Sequence, residues 1–328
     1  MSRTRIHLSL AAAALAAVLA TAAQAGAQER VLATEQRPTD VAAWNGDAVW
    51  SSFDPASGTY RLVRSRDGGP PTPLPVAPSN RPFDVDLGTN RSGSTYAVYT
   101  RCVNGDTTCD LYRLGLNTGR EERLESLSSP RWDERDPTIF RGRIAFVRHE
   151  RVSGRMGDTI RIGDTTSTGT PTKALVKGQD LSDPELSPGA LAYVKLRRTG
   201  FGAMQVRVVD LRSGRDRLAY EARSGGANAA RVTGPSLNHT TRSFIWARTN
   251  SGSGTGNRII RYGIASRTLA YAQGSSRWTS TSWANAGLGL LWATSIEGDT
   301  CFPGSDESPG ASVCRVGLTG PVRFDMRP

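Results

Sequence analysis

Lysine is almost missing from this chain of 328 residues. Only Lys173, Lys177 and Lys195 stand among 41 basic side chains, and the rest are arginine. Histidine is as scarce, with His7, His149 and His239 the full set. His149 and His239 lie far apart, and neither has a cysteine or acidic ligand set beside it, so a zinc or copper site of the usual kind lacks donors. The four cysteines form no C-x-x-C pair, which removes a thiolate metal motif. No G-x-S-x-G elbow occurs, excluding that hydrolase module. Ser251 to Gly256 is glycine-rich but does not lead from a strand into a helix, so it is a loop and not a phosphate cradle. Beyond the first twenty or so residues no apolar run approaches the ~18 residues a membrane helix needs, and no amphipathic helical period is found.

What is present begins with a targeting pattern. Arg3 and Arg5 precede an apolar stretch, Leu8 to Ala20, and Ala23-Gln24-Ala25 supplies a small-x-small cleavage site. Residues 1–25 are therefore expected to be a signal peptide, with Gly26 or Ala27 opening the mature chain. The protein is expected to be secreted or extracytoplasmic, in a periplasm or cell envelope, and not membrane-spanning. An even cysteine count in an exported chain reads as disulfides, and the close pairs Cys102–Cys109 and Cys301–Cys314 are expected, each clamping a loop between adjacent strands.

The formal net charge is +11, two units of it on Arg3 and Arg5. Such a charge can favour anionic partners. Arginine spread along the whole chain points instead to general composition, so nucleic acid is not the expected partner.

The chain repeats. A short apolar run ending in an aromatic recurs at Trp50, Tyr99, Phe146, Tyr193, Trp246 and Trp292, with intervals of 49, 47, 47, 53 and 46 residues. A second element follows each, an alternating strand carrying Arg64, Arg113, Arg161, Arg207, Arg261 or Arg315. Those arginines are expected to point to one side of the blade and pair with carboxylates across the seam between units. Ten residues before the aromatic stands an aspartate in three copies, Asp40, Asp136 and Asp183, and Asp84 opens the corresponding longer stretch of the second copy. Turns with Gly46, Gly142 and Gly189 lie between, the residue type that hairpins requiring positive φ select.

Each unit of about 48 residues thus predicts four antiparallel strands, a propeller blade, since one such sheet cannot bury both faces but a ring of them can. The fold expected is an all-β, six-bladed β-propeller forming a single domain over residues 26–328. The blades are placed near 38–80, 81–130, 131–178, 179–228, 229–276 and 277–328. Either Val31–Thr34 or Val322–Phe324 is expected to supply the outer strand that closes the ring.

Leu181-Ser182-Asp183-Pro184-Glu185-Leu186-Ser187-Pro188-Gly189, with the strand after it, and Cys109-Asp110-Leu111-Tyr112-Arg113-Leu114 resemble the TolB-like, WD40-like propeller repeat family. The resemblance runs over roughly residues 38–320, without the separate domain that precedes the propeller in TolB itself. The fifth copy departs from it with Gly234-Pro235, and the sixth with Ser280-Thr281-Ser282-Trp283. The Asp-box of sialidase-type propellers is not found. The resemblance implies a tendency to bind proteins and no single activity.

Asp40, Asp84, Asp136 and Asp183 are the candidate site, four carboxylates at one mouth of the channel. Either they form an oxygen-rich ring able to hold Ca²⁺, or each caps its own turn through a backbone N–H. No other cofactor is expected. Trp278 and Trp283 are candidates for stacking or for packing between blades. The function expected is a non-catalytic binding or scaffold protein engaging a protein or cell-envelope polymer through the propeller end faces. The alternative is a propeller enzyme of lactonase or lyase type with a carboxylate-held metal.

Overall fold

The computed structural model describes residues 30–319 except 38, 40, 104–107, 166–171, 198–202, 224–229, 239–240, 251–257, 274–282, 286–290 and 298–312. The described chain is all β, in four-stranded antiparallel blades. β1 (Arg30–Glu35) precedes blade one, which is β2 (Val41–Trp44), β3 (Asp47–Asp54), β4 (Thr59–Arg66) and β5 (Thr72–Pro73). Blade two is β6 (Val85–Thr89), β7 (Thr95–Val103), β8 (Thr108–Gly115) and β9 (Glu121–Arg123). Blade three is β10 (Asp133–Phe140), β11 (Arg143–Val152), β12 (Arg155–Asp164) and β13 (Lys173–Gly178). Blade four is β14 (Leu181–Leu186), β15 (Ala190–Arg197), β16 (Ala203–Asp210) and β17 (Asp216–Arg223).

Blade five divides its first strand into β18 (Ala230–Val232) and β19 (Ser236–Asn238), both paired to β20 (Ser243–Asn250), and continues through β21 (Arg258–Gly263) and β22 (Leu269–Gln273). Where six blades are expected, the described residues form five from consecutive strands. The remaining sheet joins β23 (Trp283–Asn285), β24 (Leu291–Glu297) and β25 (Val313–Thr319) to β1 from the other end of the chain. β1 pairs antiparallel with β25, Thr34 opposite Arg315, so of the two segments weighed for that edge it is the N-terminal one that lies there. The first strands touch in the order β2, β6, β10, β14, β19, β23 and back to β2.

Local chemistry explains the hairpins. Asn45-Gly46 and Arg141-Gly142 both take positive φ (48° and 88°, 48° and 76°), the paired left-handed residues of a tight turn whose twist matches its strands. At the equivalent place in blade four the Ser187 side chain does the work, since its Oγ accepts from Ala190 N at 3.0 Å and donates to Ala190 O at 2.9 Å. Positive φ at Gly189 is then not required.

The aromatics of the repeat form the heart of the core. Trp50, Tyr99, Phe146 and Trp246 are 0% exposed and Tyr193 1%. In blades three, four and five the first strand bulges opposite the aromatic. The register slips between Arg135 and Thr138 and between Ser182 and Glu185, and Gly234-Pro235 separates β18 from β19. An extra residue there re-aims the chain, and proline at that point forfeits no ladder donor because it has none.

The repeated arginines do not share one face. Arg64, Arg113 and Arg261 lie in register with Val49, Val98 and Ile245, the residues before the aromatics. Arg161 and Arg207 lie opposite Phe146 and Tyr193 themselves. One residue of offset puts the two groups on opposite faces. For four of them the carboxylate is within the blade and not across the seam: Arg64 with Asp47 at 2.7 Å, Arg113 with Glu122 at 2.6 Å, Arg161 with Glu150 at 2.7 Å and Arg207 with Asp216 at 3.0 Å. Arg64 also reaches the next blade, donating to Leu116 O at 3.1 Å.

Candidate functional site

The first strands wall a narrow channel, a cavity of about 120 Å³ lined by residues of blades one to five. Three of the four expected aspartates, Asp84, Asp136 and Asp183, stand on that wall, and Asp40 lies outside the described residues. Asp136 and Asp183 are in the left-handed region, φ 50° and 48°, each immediately before a proline. That conformation is disfavoured for a residue preceding proline and persists where surrounding bonds over-determine it.

Those bonds cross the seams. The Asp183 amide donates to Asp136 Oδ2 at 3.3 Å, and the Asp136 amide donates in turn to Asp84. At Gly234 of blade five an added Cβ would come within 3.0 Å of Asp183 Cβ, so glycine lets the fifth blade close onto the fourth. Two residues further along each strand a second tier repeats the device. Asp86 Oδ2 accepts from Ile139 N at 2.8 Å, Thr138 Oγ1 from Leu186 N at 3.3 Å, and Glu185 Oε1 from Leu237 N at 2.9 Å. Thr138 then donates to Glu185 Oε2 at 3.2 Å. Asp84, Asp136, Asp86, Thr138 and Glu185 each hold the first strand of the following blade, while Asp183 accepts from Ser182 Oγ beside it at 2.7 Å.

Burial dominates the electrostatics. It raises Asp84, Asp136 and Asp183 above the ordinary carboxylate range, and at Asp136 the charges of Asp183 and Asp84 add to the rise. Arg135 opposes it, its Nε 3.8 Å from Asp136 Oδ2. In the second tier burial pushes Asp86 up to about 6 and lifts Glu185 well above its ordinary value, the charge of Asp86 contributing second. Among the described residues no group of three or more His, Cys, Asp or Glu is arranged to hold a metal ion.

Sequence reasoning missed Asp86 and Glu185. The repeat places them two residues after Asp84 and Asp183, which is the only signal that could have found them. His149 lies on β11, its Nδ1 2.9 Å from Asp158 Oδ1, and that buried carboxylate also receives Arg135 at 3.2 Å and the Leu181 amide at 3.1 Å. Cys102 and Cys109 are joined as expected, directly opposite each other on β7 and β8. Cys301, His239 and Trp278 fall outside the described residues.

Fold and channel together define a β-propeller. No family model matches the chain, and no curated protein matches it. Solved structures are similar in fold. A putative TolB from Agrobacterium tumefaciens matches with TM-score 0.53 at 17% identity, over 77% of this chain and 83% of that one. An oligogalacturonate lyase in complex with manganese matches with TM-score 0.52 at 10% identity, over 81% and 72%. A puromycin hydrolase matches with TM-score 0.51 at 14% identity over 80% of this chain, which spans 50% of that protein's length. At these identities the likeness is one of fold. Among the described residues no helix is long and apolar enough to cross a membrane.

Proposed function

We propose that this chain is a non-catalytic binding or scaffold protein acting outside the cytoplasm, engaging a protein or cell-envelope polymer through an end face of its propeller. One observation carries the reading: Asp84, Asp136, Asp86 and Glu185 are already engaged by amides of the next blade, around a cavity of about 120 Å³. Small-molecule pockets usually offer roughly 300–1,000 Å³. A channel this narrow, with its acidic groups holding the seams, leaves recognition to the rim. The Cys102–Cys109 disulfide supports an oxidising compartment. The sheet made from both chain ends is, on this proposal, the sixth blade, closing one ring within residues 26–328 after removal of residues 1–25.

The test is site-specific photo-crosslinking in the source cell. A crosslinker replacing Arg131 or Arg151, on the end where the first strands begin, should capture a defined envelope component identified by mass spectrometry. One replacing Arg212, at the opposite end, should not. Metal analysis supplies the contrary outcome: stoichiometric Ca²⁺, lost together with a lyase or lactonase activity in Asp136→Ala, would move the protein to the enzyme alternative.

A further inference from the structure

We propose that the rim where blades three and four meet, on the end bearing the channel aspartates, is a docking site for an acidic peptide segment that also carries aliphatic side chains. This rests on the end-face reading above and gives it a location and a partner chemistry. Met156 and Leu196 are 44% and 40% exposed, two of the few large apolar side chains so open among the described residues. They flank one short connector. Gln179 Nε2 donates to Met156 O at 2.8 Å, and Leu196 N donates to Asp180 O at 3.0 Å, so Gln179-Asp180 bridges the strands that carry them. Both apolar groups are thereby held at the surface by backbone geometry, where burying them against another molecule releases water.

Basic side chains frame the pair. Arg151 lies in register with Met156. Arg155 and Lys177, both exposed, line a cleft of about 510 Å³ beside the β11–β12 hairpin. Arg197 follows Leu196 and is also exposed, its Nη1 3.6 Å from Glu221. Among the described residues the acidic groups near this rim are Asp180 in the connector, Glu221 beside Arg197, Glu150 paired with Arg161 and Asp158 paired with Arg135, so Arg151, Arg155 and Lys177 leave positive charge in excess. A cationic surface next to two fixed apolar side chains suits a chain that presents a carboxylate and an aliphatic group in alternation.

The probe is a fluorescein-labelled Asp-Glu-Leu-Glu-Asp-Leu peptide titrated against the full chain by anisotropy. Saturable binding is expected, weakened about tenfold or more in Arg155→Glu/Lys177→Glu and several-fold in Met156→Ser/Leu196→Ser. Arg212→Glu/Arg215→Glu, the same charge change at the far end, should leave it unaltered, and melting curves check that every variant is folded. An equal loss in that control pair, absence of peptide binding, or binding confined to phosphatidylglycerol vesicles would each overturn the proposal. Crosslinks at the Arg131 position that survive Arg155→Glu/Lys177→Glu would keep the end-face reading while removing this site. Their absence from the wild-type protein would count against the broader reading itself.

Discussion

Trp50 Nε1 donates a 2.7 Å hydrogen bond to Glu35 Oε1, joining blade one to a strand of a different sheet. Ser52 Oγ donates to the other carboxylate oxygen at 2.9 Å. Glu35 ends β1, which pairs with β25, so one buried side chain pins the terminal sheet to its neighbour. Glu35→Ala leaves a fully buried indole N–H without its acceptor, which costs on the order of 1–3 kcal/mol. Chemical denaturation should register that loss, with Glu35→Gln losing less because its carbonyl still accepts. An unchanged midpoint in Glu35→Ala would mean that β1 takes no part in holding the ring.

The aromatic positions should be the most costly to empty. Tyr193 is buried at blade four's second strand, and its hydroxyl donates to Asp216 Oδ2 at 2.8 Å. Tyr193→Ala is expected to cost about 3–5 kcal/mol, and Tyr193→Phe about 1 kcal/mol for the hydrogen bond alone. Comparable losses for the two substitutions in urea unfolding would show that the ring volume is not what matters.

Stability should fall as pH rises. Burial pushes Asp86 up to about 6, and it raises Asp84, Asp136, Asp183 and Glu185 as well. Each folded-state value lies above that of the unfolded chain, so the folded protein holds these protons more tightly. The resulting stabilisation is complete below the unfolded carboxylate range, about pH 4, and is lost as pH climbs through about 6. Calorimetry between pH 5 and pH 7.5 should show the melting temperature dropping across this window. Asp86→Asn keeps a carbonyl for the Ile139 amide and should flatten the slope. A wild-type slope of opposite sign refutes the assignment.

The Cys102–Cys109 disulfide closes a short loop, so its contribution is modest. Replacing both cysteines with serine should cost roughly 2–3 kcal/mol by the loop-entropy account. Peptide mapping without reductant should recover the 102–109 link, and any Cys102–Cys314 or Cys109–Cys301 peptide would contradict it.

Much of the fold was legible because its signals are local. The spacing of Trp50, Tyr99, Phe146, Tyr193 and Trp246 marks buried second strands, and all five are buried. Asn45-Gly46 and Arg141-Gly142 announce their hairpins through the φ they adopt. Cys102 and Cys109 sit seven residues apart on strands joined by one hairpin, so pairing needs no knowledge of the rest of the molecule.

The candidate site was legible only in part. Asp84, Asp136 and Asp183 do converge on the channel, but a carboxylate beside a turn has the same local chemistry whether it caps its own amide or one on the next blade. The arginine spacing likewise hid a one-residue difference in register, which separates Arg64 and Arg113 from Arg161 and Arg207 on opposite faces.

The repeat, the strand order within each unit and the aromatics buried in its core can be read from residue order alone, because they follow from periods of two and from turn chemistry a few residues long. That Asp136 receives the amide of Asp183, that Glu35 receives the indole of Trp50, and that β1 completes the sheet begun by β23 emerges from the packed fold. Those contacts join different sheets or opposite ends of the chain. Their partners are chosen by how the blades pack, which no local pattern records.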